Sequence, residues 1–185
     1  MRDDLEFYPL TQPQLGIWYT EKMFPDTSIG IIAGTLKLRG HIDYPLLKRA
    51  VSIYIENNDT LRLRFREVDG EPRQYYLETP LKEPEVYDFS SSGKEALYKW
   101  DTDRTRTPFK VIDSDLYEFC IIRLSDQEAG VFMKFHHLIC DAWSIVNAGN
   151  DICRIYSDLL DGSFTGFEPL PSYRIFMEDE SRYMN

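Results

Sequence analysis

The sequence predicts an α/β fold of the α+β kind: a two-layer sandwich in which helices flank a mixed, partly antiparallel sheet. Apolar residues recur three and four apart over 46–55 and 145–159, while strand-like runs at 61–77 and 116–137 are joined in pairs by short polar turns. These helical and strand-like segments alternate along the chain instead of forming separate blocks. At 185 residues the chain is long enough for one sizeable core and short for two.

The first helix starts in LTQPQLGIW, where Thr11 can cap, Gln14 can reach back, and Leu10 and Leu15 can close a hydrophobic staple. Ser28 to Arg39 reads as a strand broken by Gly40 and His41. Asp43 opens a second helix, whose Leu46, Leu47, Ala50, Val51, Tyr54 and Ile55 form a core-facing stripe. Leu61, Leu63 and Phe65 then alternate with Arg62, Arg64 and Arg66, and the turn at Asp69 and Gly70 leads to a strand over 74–77.

An irregular acidic stretch follows, then a helix over 91–105 and the segment Thr107, Pro108, Phe109. Strands are expected over 116–124 and 131–137. The long helix from Ala142 to Leu160 should turn Ile145, Val146, Ile152, Ile155, Tyr156 and Leu159 inward and stop at Asp161 and Gly162. Pro171, Ser172 and Tyr173 begin a short tail helix. Trp18 and Trp143 are expected to be core anchors.

A net charge of −10 and the lack of a basic run argue against nucleic acid or an anionic membrane as partner. No signal peptide or apolar span is legible, which gives a cytoplasmic expectation. Cys120, Cys140 and Cys153 are odd in number and lack a CxxC pair, as expected of reduced, packed thiols.

The stretch HHLICDAWS at 136–144 concentrates the candidate chemistry. On a regular strand Val131, Met133, Phe135 and His137 share one face, and Phe132, Lys134 and His136 the other, so the two histidines cannot do the same job. Asp141 stands where it can cap the next helix. From these residues alone, the default reading is that both histidines are satisfied core groups and Asp141 is only a cap. A metal site would use His136, His137, Cys140 and Asp141, against which the opposed histidines and the missing second ligand pair count. A Cys140 and His137 dyad would need a lowered thiol pKa, of which the sequence gives no sign.

FHHLICDAWS resembles the HHxxxDG signature of the condensation domains of nonribosomal peptide synthetases, in the chloramphenicol acetyltransferase-like superfamily. LTQPQLGIWY resembles that family's first motif through Thr11, Gln14, Ile17 and Trp18; NDTLRLRF resembles its second through Leu61, Arg62 and Phe65. RTPFKVIDSDLYEFCIIRL resembles the family's T-P-F segment and the strand after it. The resemblance implies one lobe of a two-lobed fold: residues 1–170 as the N-terminal lobe, and 171–185 as the start of the segment leading to a missing C-terminal lobe. By the same resemblance His137 is catalytic, His136 structural, Asp141 the organiser of the loop and Arg62 its salt-bridge partner, while Ala142 replaces the motif's glycine.

The implied activity is amide formation between acyl and aminoacyl thioesters held by donor and acceptor peptidyl carrier proteins. The domain itself binds no cofactor; substrates arrive on phosphopantetheine, an adenylation domain is a neighbour, and the lobe alone is expected to be inactive. Two other readings stay open: O-acyl transfer by another enzyme of the superfamily, and a catalytically silent domain that binds carrier proteins. If Asp141 and Arg62 form a buried pair, removing one partner should cost about 3–5 kcal/mol.

Overall fold

A computed structural model describes residues 5–78, 81–167 and 171–184. Among the described residues, seven strands and five helices follow in the order β1 (Tyr8–Pro9), α1 (Gln12–Met23), β2 (Ile31–Arg39), α2 (Tyr44–Asn57), β3 (Leu63–Val68), β4 (Glu71–Tyr76), β5 (Glu85–Asp88), α3 (Lys94–Arg106), β6 (Tyr117–Ser125), β7 (Glu128–His136), α4 (Ala142–Leu160) and α5 (Tyr173–Met184). A 3-10 turn over Asp59–Arg62 joins α2 to β3.

The strands form two sheets. One has the order β2-β7-β6-β5, antiparallel except for the parallel β5–β6 edge; the other is β1-β4-β3. The mixed sandwich expected from the sequence is present, with two additions. The strands divide between two sheets, and α3 covers part of the far face of the larger one through Trp100 and Leu97 against Cys120, Ile122 and Phe132. On the near face, Val131, Met133, Phe135, Phe119 and Ile121 meet the stripe of α2 and the inner side of α4. A second core gathers Leu10 and Trp18 from the α1 region, Leu63 and Phe65 from β3, Leu116, Leu138 and Met177 of α5.

Local chemistry explains most boundaries. Asp43 accepts a hydrogen bond from the Leu46 amide (2.9 Å), capping α2. Asp69 and Gly70, both at positive φ, make the β3–β4 turn. Several expectations are corrected. β2 begins at Ile31, not Ser28, and β7 ends at His136, so His137 belongs to the turn. The acidic stretch contains β5, whose alternating residues Val86 and Tyr87 pair with Ile121 and Ile122. Val146 is 53 % exposed and Trp143 75 % exposed, so neither is a core residue, whereas Trp18 is. The expected boundary at 170 falls at 168–170, outside the described residues.

The first helix carries a polar clamp. Gln14 accepts from the Thr11 amide (2.9 Å), closing the capping box, and its side-chain amide donates to the Leu138 carbonyl (3.0 Å). Gln14 and Gln74 are also amide partners at 2.9 Å, and Gln74 donates to the Pro9 carbonyl (2.8 Å). Both glutamines are buried. Truncating one therefore strands several buried polar groups, each at a cost of about 1–3 kcal/mol. Gln14→Ala is expected to lower the unfolding free energy by about 3 kcal/mol in urea titration. A loss below about 1 kcal/mol would refute the clamp.

Candidate functional site

The turn after β7 places the two histidines in opposite environments. His136 is the last residue of β7 and 2 % exposed; His137 is exposed on the turn that follows. The backbone around them is held on several sides. The His136 amide donates to the Leu116 carbonyl (2.9 Å), the His137 amide to the Gly30 carbonyl (2.8 Å), and the Leu138 amide to His136 Nδ1 (3.1 Å). Since Nδ1 accepts, the neutral ring carries its proton on Nε2. Burial pushes the His136 pKa down, opposed by the nearby Glu21 carboxylate and reinforced by His137.

His136 Nε2 lies 3.0 Å from Oε1 of Glu21 of α1. The approach is too far off axis for a well-formed hydrogen bond, and neither atom has another partner among the described residues. Gly30 permits this contact. A Cβ there would collide with Glu21 Oε1 and lie 2.5 Å from His136 Nε2. The sequence reading missed both residues. Glu21 was legible only as the i+7 partner of Gln14 on one helix face, and Gly30 as a lone glycine before β2.

The segment Thr107–Phe109 supports the same strand end. Lys134, 3 % exposed on the His136 side of β7, donates to the Thr107 carbonyl (2.7 Å) and stands over the Phe109 ring at 4.5 Å. Burial, with Arg104 nearby, pushes the Lys134 pKa down to about 8. Phe109 also meets His136 edge-on, with ring centroids 6.3 Å apart.

Asp141 and Arg62 are not brought together. Asp141 is exposed and caps α4, accepting from the Ser144 amide (2.7 Å) and hydroxyl (2.6 Å). Those bonds hold its carboxyl below the usual aspartate range. Arg62 is half-buried beside another cleft, bordered by Glu56, Glu78 and Glu83, and the two side chains form no ion pair. The alternation expected from Leu61 is kept, since Leu61, Leu63 and Phe65 are all buried, and Arg62 lies in the 3-10 turn just ahead of β3. The buried arginine is Arg64, 4 % exposed, which donates to the carbonyls of Leu61 (3.1 Å) and Leu63 (2.8 Å) and pairs with Asp115.

Ala142 is the first residue of α4, exposed and helical. A helical φ does not call for glycine. Cys140 is buried, its thiol donates to the Asp141 carbonyl (3.3 Å), and burial pushes its pKa up to about 12. A protonated, buried thiol is not a nucleophile, which removes the Cys140 and His137 dyad. Among the described residues no group of three or more His, Cys, Asp or Glu is placed to hold a metal ion, and no helix is long and apolar enough to cross a membrane. A cleft of about 1040 Å³ opens beside Cys140 and Ser144, between α4, the end of α2 and α5; His137 does not line it.

With this geometry, residues 4–185 match the family model described as "Condensation domain". The chain belongs to the condensation-domain family. It is 33 % identical over 178 residues to one chain of the plipastatin synthase of Bacillus subtilis, and 37 % over 168 residues to surfactin synthase subunit 1 of the same organism. These alignments cover 96 % and 88 % of this chain but only 7 % and 5 % of those proteins.

Among solved structures, the starter condensation domain of rhizomide synthetase RzmA superposes with a TM-score of 0.87 at 22 % identity, over 97 % of this chain and 44 % of that one. The first condensation domain of the calcium-dependent antibiotic synthetase, in complex with a substrate analogue, gives 0.84 at 20 % identity over 96 % and 44 %. These two likenesses bear on the fold, which is that of the chloramphenicol acetyltransferase-like condensation domains. The chain spans less than half the length of either solved condensation domain.

Because Asp141 is an exposed cap and not half of a buried ion pair, Asp141→Ala is expected to cost about 1 kcal/mol in thermal or urea unfolding, well short of the roughly 3–5 of a broken buried pair. Its folded-state pKa is depressed, so the charge-dependent part of the cap is present above the unfolded value near 3.8 and is lost as pH falls through the lower folded value. Asp141→Asn should retain most of the cap and remove that pH dependence. A loss of several kcal/mol would contradict this assignment.

Proposed function

We propose that this chain is the N-terminal half of an amide-forming condensation domain, in which His137 serves the reaction at the junction with a second lobe. The supporting observation is the contrast at 136–138. His137 stands exposed on a turn whose flanking residues, His136 and Leu138, are buried and hydrogen-bonded. Such a support fixes the backbone that carries the exposed imidazole, as positioning of a catalytic group requires.

In the proposed reaction the α-amine of an acceptor aminoacyl thioester attacks the carbonyl of a donor acyl thioester. A C–N bond forms, and the tetrahedral intermediate bears an oxyanion. Collapse breaks the C–S bond and expels the donor's phosphopantetheine thiolate. The amine's proton passes to His137 and from there to the leaving sulfur. General-base assistance of this kind contributes about 10²–10⁴-fold. An α-amine with a pKa near ~8 is partly neutral already, so part of the work of His137 is to hold the amine in line and stabilise the tetrahedral state.

Substrates reach the site on donor and acceptor peptidyl carrier proteins. The other wall of the reaction chamber belongs to the C-terminal lobe, and the adjacent adenylation domain loads the carrier. The exposed apolar residues Ile29, Trp143 and Val146, in the segments around the turn, suit burial against that second lobe. The methyl of Ala142, on an exposed helical turn, gives no reason to favour a silent domain.

In the two-lobed protein, His137→Ala is expected to cut amide formation from two loaded carrier proteins by about 10²–10⁴-fold. The substitution is at the surface, so unfolding free energy should change by no more than about 0.5 kcal/mol. The 185-residue chain alone should give no amide product. An undiminished rate in the variant, or robust product from the isolated chain, would overturn the reading.

A further inference from the structure

We infer that Glu21 is a positioning residue for this site: through the buried ring of His136 it fixes the turn that presents His137. The inference rests on the proposed role of His137. The mechanism assigns Glu21 no task, yet its Oε1 is fully enclosed, lies 3.0 Å from His136 Nε2, and has no other partner among the described residues.

A buried oxygen and a buried ring nitrogen that have only each other are costly to separate, because each would lose its sole polar neighbour. Glu21 therefore favours one orientation of the His136 ring, and with it the tautomer that the Leu138 amide requires. With Nε2 on the Glu21 side, Nδ1 is left to accept the Leu138 amide (3.1 Å). With the ring flipped, both the Nδ1 acceptor and the Nε2 contact are lost. The bond to Leu138 spans His137, which is itself tied to the Gly30 carbonyl at 2.8 Å. Gly30 packs against the same Glu21 and His136 atoms, so a shift of the ring is transmitted to both ends of the catalytic turn.

The remainder of the glutamate side chain, 13 % exposed, lies at a small cleft of about 200 Å³ bordered by Trp18, Lys22, Pro25 and Phe109. It thus joins solvent to the back of the histidine turn. Displacing a reacting group by about 1 Å costs on the order of 10²-fold in rate, so a carboxylate that never touches substrate is enough to govern turnover.

The test compares wild type, Glu21→Leu, Glu21→Gln and His137→Ala in the two-lobed protein, with kcat and KM measured using loaded carrier proteins. Imidazole ¹⁵N spectra are recorded on the same samples, the His136 signal being assigned with a His136→Gln variant. Glu21→Leu should lower kcat at least tenfold, leave KM for both carriers unchanged, and replace the single Nε2–H tautomer of His136 by a mixture. Glu21→Gln, which keeps an acceptor oxygen at the same reach, should restore one tautomer and most of kcat. Wild-type kcat in Glu21→Leu, or a tautomer unaffected by it, overturns the inference. So does loss of folded protein with normal kcat per folded molecule. Full activity in His137→Ala sinks the function reading instead, and the tautomer spectra still judge Glu21.

Discussion

Much of this fold is organised around one requirement: the backbone of residues 136–138 leaves the end of β7 in a place with little water, so its polar groups need protein partners. They find them in segments far apart in sequence. The Leu138 carbonyl takes the Gln14 side chain and the Leu138 amide takes the His136 ring; the two histidine amides take the carbonyls of Leu116 and Gly30. An unpaired group in such a position costs about 1–3 kcal/mol, so each partner residue is constrained by the turn it serves. The result is a rigid support with one exposed imidazole on it.

The helix α1 follows from the same demand. Gln14, Trp18 and Glu21 lie at i, i+4 and i+7, so one face of a single helix supplies a clamp for Leu138, an anchor for the second core and a contact for His136. The motif at 10–19 and the motif at 136–144, separated by more than a hundred residues, are two halves of one piece of packing. Thr107 and Phe109 join it through Lys134 and His136. Spacing along the chain carries no trace of these meetings, because they depend on which sheet edge each segment reaches.

Beyond that support the surface changes character. Trp143 and Val146 on α4, and Ile29 before β2, are exposed apolar residues in segments that meet or follow the histidine turn. A helix read by periodicity alone would turn Val146 inward and use Trp143 as an anchor. The hydrophobic stripe of α4 is indeed wide, but the sheet covers only the part containing Ile152 and Ile155, together with Ile145 and Ala148. The rest, with Trp143 and Val146, stays exposed.

Most element types, though not β1 or β5, with the capping box at Thr11, the Asp43 cap, the bounds of α4 and the separation of the two histidines, were legible from the sequence, because each depends on residues within a few positions of one another. The family resemblance was legible too, since its motifs lie in order along the chain. Three matters were decided only in three dimensions. Arg64 is more deeply buried than Arg62 because the Leu61 and Leu63 carbonyls and Asp115 receive its guanidinium. Asp141 is an exposed cap because Ser144, not an arginine, is its nearest partner. Glu21 and Gly30 gain their importance from meeting His136 across more than a hundred residues of chain. Local hydrogen bonds and periodicity are written in neighbouring residues; which buried polar atom faces which is settled by the packing of whole elements.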